Sequence, residues 1–203
     1  MRFTASLLGL RYKIVNPVEA KFRLSAQSSG PKVVVVNHQS SLDVLALLCH
    51  LWPLMDGQCT IISKKSLLFT GPFGVMAYMS GVTFIDRSKQ QLSIDVLNQT
   101  MKECKETNKK MIVFAEGTRF HHPDKIDMLP FKLGAFHAAL SSKVPIQPVV
   151  LSHYEFYDHS RKILEPGMIR INVLEEIKSD HTLNDAKSLA MTTRNLMLET
   201  FQH

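Results

Sequence analysis

Cysteine is scarce in this 203-residue chain. Cys49, Cys59 and Cys104 are odd in number and form no C-x-x-C pair. That excludes a disulfide framework and points to reduced thiols on a cytosol-facing protein. No internal repeat, low-complexity tract or Pro/Ser-rich linker divides the sequence. Its length suffices for one full hydrophobic core and is short for two, so residues 1–203 are expected to form a single domain. Acidic residues are in the minority, 18 against 24 Lys and Arg, for a formal net charge of +6. A basic surface attracts nucleic acid, anionic lipid or phosphorylated small molecules. The cations are dispersed and no nucleic-acid-binding motif is present, which argues against nucleic acid.

Long apolar runs are lacking as well. Ala5–Leu10 is too short for a signal-peptide core and far too short to span a bilayer, so neither is expected there. Leu67 to Ile85 carries no charge and nearly reaches the ~20 residues a membrane helix needs. Gly71, Pro72, Gly74, Ser80 and Gly81 interrupt it. A helix–turn–strand passage buried in the core is expected, with a membrane-dipping patch as the alternative.

Apolar residues make up 45% of the chain, enough for a packed core. Their spacing alternates strand and helix signals. Short β-branched or apolar runs at Lys32–Val36, Thr60–Ile62, Val82–Ile85, Met111–Ala115, Ile146–Leu151 and Met168–Leu174 read as strands. Pro148 is expected to push its strand to a sheet edge or a local bulge. Helical spacing covers Ser41–Leu51, Ser88–Glu106, Leu133–Ser141 and Thr182–Phe201. Ser88 with Gln91 fits a capping box. The alternation implies an α/β fold, a mixed or largely parallel sheet flanked by helices. In such sheets the working residues lie on turns beyond the strand ends.

The charged motifs fall on those turns. Asn37-His-Gln-Ser-Ser-Leu-Asp43 follows the Val33–Val36 strand. If His38 lies in the turn and a helix begins near Ser40 or Ser41, Asp43 falls in its first turn and reaches back to the imidazole. Asp43 then orients a general base, and no Ser or Cys nucleophile is required if an acceptor's own hydroxyl is the nucleophile. On spacing alone, an unrelated loop His beside a capping Asp is the favoured reading, because a lone His–Asp pair is common by chance. Phe114-Ala-Glu-Gly-Thr-Arg119 follows another strand. Gly117 permits a tight turn, Arg119 supplies a fork suited to phosphate, Thr118 adds a hydroxyl, and Glu116 either orients Arg119 or contacts a substrate hydroxyl. Arg87 and Lys132 stand at two further element ends. Three cations beside a His–Asp pair suggest a phosphorylated substrate. His121, His122 and Asp124 are expected to be a polar loop and not a metal set. Met55, Met76, Met79, Met101, Met111 and Met128 are expected to fill core gaps, and Lys64, Lys65, Lys109 and Lys110 to be solvated.

Four blocks in this order resemble the 1-acyl-sn-glycerol-3-phosphate acyltransferases of the wider glycerolipid acyltransferase family. They are Asn37–Asp43 (N-H-x-x-x-x-D), Gly81–Arg87, Phe114–Arg119 (F-P-E-G-T-R in the family, with Ala115 here for Pro) and Val144–Val149, where Gln147 replaces an aliphatic residue. The motif-bearing core spans residues 32–152. The resemblance implies that His38 is the catalytic base and Asp43 its partner. It implies that Glu116, Gly117, Thr118, Arg119, Arg87 and Lys132 bind the acceptor. The reaction implied is acyl transfer from acyl-CoA, as co-substrate, to the sn-2 hydroxyl of lysophosphatidic acid, with no metal and no bound cofactor. It also implies a membrane-surface enzyme, on the endoplasmic reticulum with its catalytic domain towards the cytosol. Eukaryotic members usually begin with hydrophobic membrane helices, and this sequence starts after where they would lie, so a shortened form or surface attachment is expected. Other acceptors (glycerol 3-phosphate or a lysophospholipid) and a non-catalytic membrane-binding relative are the alternatives. A hydrolase is disfavoured because no Gly-x-Ser-x-Gly elbow occurs.

Overall fold

The computed structural model describes residues 9–27, 29–86, 88, 90–122, 125–158, 161–179 and 185–202. Nine strands are described: β1 (Leu10–Ile14), β2 (Val33–Val36), β3 (Cys59–Lys64), β4 (Thr83–Ile85), β5 (Lys110–Phe114), β6 (Ile146–Leu151), β7 (Tyr157–Asp158), β8 (Ile163–Leu164) and β9 (Gly167–Val173). Seven of them make one sheet in the order β1-β9-β6-β2-β5-β3-β4, and β7 pairs with β8 in a small hairpin. From β6 to β4 all neighbours run parallel; β9 joins β6 antiparallel, and β1 runs parallel to β9. The sheet is therefore mixed and largely parallel, as expected. The five parallel strands end along one edge. The turns after β2, β4, β5 and β6 all leave from that edge, which gathers motifs far apart in sequence.

The four valines of β2 show why its sequence does not alternate. Val33 and Val35 pack into one apolar cluster, Val34 and Val36 into another on the opposite face, and all four are fully buried. A parallel strand covered on both faces reads as a continuous apolar run. The first cluster is closed by α5 (Gln90–Glu106), α6 (Gly134–Ser142) and α7 (Ala186–Phe201). The second is closed by α1 (Pro17–Leu24) and by the passage α2 (Asp43–Ala46), a π turn (Leu47–Leu51) and α3 (Trp52–Leu54). β1, α1 and the hairpin were not expected from the sequence.

Several expectations need correction. β6 is interior, not an edge strand. Pro148 is accommodated because the ladder to β9 starts only at Val149. The bulge half of that expectation holds. The Ile146–Ile177 bridge and the Val149–Val173 pair differ in register by one residue, which sits on the facing segment. The Ser88–Gln91 capping box does not form. Asp86 Oδ1 accepts from Ser88 N at 3.1 Å and Ser88 Oγ at 2.6 Å, while Gln91 turns forward to Asp95. The π turn shifts the helical phase, so Leu47 and Leu51 are buried and Leu45 is only partly covered. Lys110 is not solvated. It is fully buried, with Nζ directed at the Ser25 and Ser29 carbonyls, and burial lowers its pKa. Met55, Met101, Met111 and Met128 are core, but Met76 and Met79 are exposed.

The apolar run from Leu67 divides into a 3-10 turn (Lys65–Phe69), α4 (Pro72–Met79) and β4, the expected helix–turn–strand. It is not buried. Phe69, Val75, Met76, Tyr78 and Met79 all face solvent. No helix among the described residues is long and apolar enough to cross a membrane.

Candidate active site

Val36 ends β2, and the chain turns so that Asp43, the first residue of α2, folds back over the turn. Asp43 Oδ2 lies 2.7 Å from His38 Nδ1 and accepts from the Gln39 and Ser40 amides at 2.7 and 3.0 Å. Its other oxygen, Oδ1, accepts from the Tyr154 hydroxyl at 2.6 Å. The carboxylate side chain is wholly buried. Burying a charge is costly unless donors replace water, and here four do. An ionised carboxylate only accepts, so the proton between it and His38 belongs to Nδ1. Nε2 is thereby left with its lone pair, the tautomer a general base requires. The imidazole stacks on Phe114, the last residue of β5, with centroids 4.0 Å apart and rings 17° from parallel. It retains 17% of its accessibility. The expected pair thus forms with the expected geometry.

The Gln39 and Ser40 amides are both committed to Asp43, so neither is free to stabilise an oxyanion. Asn37 fastens the turn to β6 through paired bonds with the Leu151 main chain, at 3.0 and 2.8 Å.

Glu116 lies under the same turn. It is 2% exposed. Oε1 accepts from the His38 amide at 2.8 Å and Oε2 from the Leu129 amide at 2.9 Å. Burial pushes its pKa up to about 7, against the opposing pull of those two bonds. Glu116 therefore braces the His38 turn against the Leu129 loop. It does not orient Arg119, whose Nη1 donates to Ser41 Oγ at 2.8 Å instead. Phe120 N donates to His38 O at 2.8 Å, so the Glu116–Arg119 turn lies directly against the His38 turn.

Gly117 has φ +72°, and a Cβ there would come within 3.0 Å of Lys132 Cγ. The left-handed backbone and the lysine stem both demand glycine. Lys132 itself is exposed, as are Thr118 and Arg119. Its loop is held from two sides. Lys132 N donates to Ala115 O at 2.8 Å, and Arg194 of α7 bonds Asp127 at 2.9 Å, Leu129 O at 3.3 Å and Met128 O. The fold thus brings His38, Asp43, Glu116, Gly117, Thr118, Arg119 and Lys132 together. Arg87 lies outside the described residues, although Asp86 before it directly follows β4 at the same sheet edge. Tyr154, Phe114, Ser41 and Arg194 join the site unforeseen. Ser41 lies inside the His38–Asp43 block and could have been read from it, whereas nothing local marks Tyr154 or Arg194.

His121 and His153 stack at 5.0 Å, and their Nε2 atoms approach the Tyr154 and His122 carbonyls at 3.0 Å each. Asp124 lies outside the described residues. Cys49, Cys59 and Cys104 are unpaired and buried, and burial pushes the Cys59 and Cys104 thiols up to about 12 and about 11. Neither of those two is a nucleophile near neutrality.

Residues 18–152 match the acyltransferase family model. The chain belongs to the acyltransferase family. It is 36% identical over 197 residues to human 1-acyl-sn-glycerol-3-phosphate acyltransferase beta, covering 96% of this chain and 66% of that protein. It is 33% identical over 198 residues to 1-acyl-sn-glycerol-3-phosphate acyltransferase of Saccharomyces cerevisiae, covering 97% of this chain and 61% of that one. This acyltransferase chain thus spans roughly two thirds of the length of such relatives. In fold it is similar to the crystal structure of the 1-acyl-sn-glycerophosphate (LPA) acyltransferase PlsC from Thermotoga maritima. The TM-score is 0.74 at 19% identity, over 99% of this chain and 75% of that one.

Proposed function

We propose that this acyltransferase moves a fatty acyl group from acyl-CoA to the sn-2 hydroxyl of 1-acyl-sn-glycerol 3-phosphate, giving phosphatidic acid for phospholipid synthesis. One observation carries the chemistry: His38 Nδ1 is tied at 2.7 Å to a buried carboxylate with three further donors, beside a turn bearing Arg119. His38 Nε2 takes the hydroxyl proton as that oxygen attacks the thioester carbonyl. The imidazolium formed is compensated by Asp43. The tetrahedral intermediate collapses by breaking the C–S bond, and His38 returns the proton to the departing CoA thiolate. Atoms and charge balance without a metal, a redox partner or a covalent acyl-enzyme.

Arg119, with Thr118, Gly117, Lys132 and Arg87, is assigned to the acceptor phosphate. An arginine fork matches phosphate with two charge-assisted bonds. The identity of the acceptor is supported by the names of the relatives and by this cluster of cations; acyl-CoA as donor is the reading of the motif resemblance. On the same ground we assign the reaction to a membrane surface, on the cytosolic side of the endoplasmic reticulum.

The test incubates purified protein with oleoyl-CoA and, in turn, lysophosphatidic acid, glycerol 3-phosphate, lysophosphatidylcholine and monoacylglycerol, while free CoA is followed. CoA release that requires lysophosphatidic acid is expected. Release without any acceptor would mean a hydrolase, preference for another acceptor would move the substrate assignment, and no release with any would leave a non-catalytic relative.

A further inference from the structure

The segment from Lys65 to Met79 carries a cluster of exposed apolar side chains, and nothing in the proposed chemistry uses it. Phe69 is 76% exposed, Tyr78 67% and Met79 80%, with Val75 and Met76 also largely open. A helix apolar on all sides is normally buried in a core or in lipid. α4 is neither covered by the sheet nor amphipathic. It packs mainly on the 3-10 turn before it, so closely that a Cβ on Gly74 would meet Leu68 O at 2.1 Å. The unit is thus a small, self-contained apolar knob.

Three observations say what it faces. First, two of its hydroxyls bond to its own main chain. Thr70 Oγ1 donates to Leu67 O at 2.6 Å and Ser80 Oγ to Met76 O at 2.8 Å, as a segment entering a water-poor phase requires. Second, the charge beside it has one sign. Lys64 and Lys65 are exposed at its base, and no Asp or Glu occurs from Gly57 to Ile85. A protein partner of ordinary composition does not call for this, whereas lipid tails bordered by anionic headgroups do. Third, the knob begins at the end of β3, the sheet edge from which the His38 and Arg119 turns also leave.

We propose that Lys65–Met79, with Lys64, is a bilayer-docking surface that inserts its apolar side chains among the lipids of an anionic membrane and turns the His38 edge of the sheet towards it. α4 has eight residues, so it lies in the interface and does not cross. The surface itself stands independently of the substrate assignment; only its use, delivering an amphiphilic acceptor to the site, rests on that reading.

The full chain is floated with vesicles of phosphatidylcholine alone and of phosphatidylcholine mixed with phosphatidylserine, at low and high salt. The wild type is expected to float with the mixed vesicles, and to keep a residual bound fraction at high salt, because salt screens charge and not apolar contact. Phe69→Ser/Met76→Ser/Met79→Ser should lower binding at least about tenfold and abolish the salt-resistant fraction. Lys64→Ser/Lys65→Ser should reduce binding to mixed vesicles at low salt only. As a readout that leaves the apolar surface intact, Tyr78→Trp in a Trp52→Phe background should shift its emission to the blue when mixed vesicles are added. Four results overturn the proposal: no flotation of wild type, undiminished flotation of the triple variant, no emission shift, or a wild-type dimer that the triple variant dissolves. Flotation requires no turnover, so its failure is separable from failure of the acyl-transfer assay.

Discussion

His38 and Asp43 sit among fixed partners, whereas Thr118, Arg119 and Lys132, one turn away, stand in solvent. Every oxygen of Asp43 and of Glu116 has a donor, and the His38 ring is stacked. Among the described residues Arg119 has one bond, to a serine hydroxyl. The half that moves protons is thus built before substrate arrives, since a misplaced base loses rate steeply. The half assigned to the phosphate is left open, because its charges find their partners in the ligand. Damage to the two halves should therefore look different. In the first, turnover should fall with binding little changed; in the second, binding of one substrate should weaken.

The largest effect is expected from His38→Ala, a loss of about 10² to 10⁴ in kcat with little change in either KM, measured by CoA release at saturating substrates. Arg119→Lys should act on the other half. It should raise the KM for lysophosphatidic acid and leave that for acyl-CoA nearly unchanged, at a cost of about 1.5–3 kcal/mol, or roughly tenfold to a hundredfold in kcat/KM. Discrimination against monoacylglycerol, which lacks the phosphate, should shrink with it. If the acyl-CoA KM rose instead, Arg119 would hold the donor's phosphates and the division of the site would be wrong.

Tyr154→Phe sharpens the comparison from the buried side. It removes one of four donors to Asp43, so kcat should fall by about tenfold or less with both KM values intact, and urea denaturation should show a loss of about 1.5–3 kcal/mol. A KM effect would mean that Tyr154 shapes a substrate channel.

The last expected effect, one that leaves turnover aside, is a pH dependence of stability from Glu116. Its carboxyl is pushed from 4.5 up to about 7 in the folded protein, chiefly by burial. Between those values the folded state holds a proton that the unfolded state has released. Its contribution is therefore complete below 4.5 and is lost as pH rises through about 7. Urea midpoints should decline across that window in the wild type, and the decline should be shallower in Glu116→Gln. Identical slopes would place the titration elsewhere.

Much of this was legible because strand-end turns carry both the chemistry and the strongest local signals. The Val33–Val36 run announced a doubly covered strand, and the five-residue spacing of His38 and Asp43 could close only across a turn. What stayed hidden depends on partners distant in sequence. Tyr154 reaches Asp43 across 111 positions and Arg194 grips Met128 across 66. Pro148 looked like an edge marker because its missing N–H was counted without knowing where the β9 ladder begins. Lys110 looked solvated because a lysine's ordinary place is the surface, and only the Ser25 and Ser29 carbonyls show otherwise. The exposure of α4 was missed for the same kind of reason. Apolar composition says what a segment avoids, not whether protein or lipid shields it.

A kinetic cycle of His38→Ala, Asp43→Asn and the double variant tests most directly whether His38 and Asp43 act as one base. If Asp43 acts only through His38, the double variant should turn over no more slowly than His38→Ala alone, because the second change removes support from a group already gone. Losses that multiply, or near-normal turnover by His38→Ala, would contradict it.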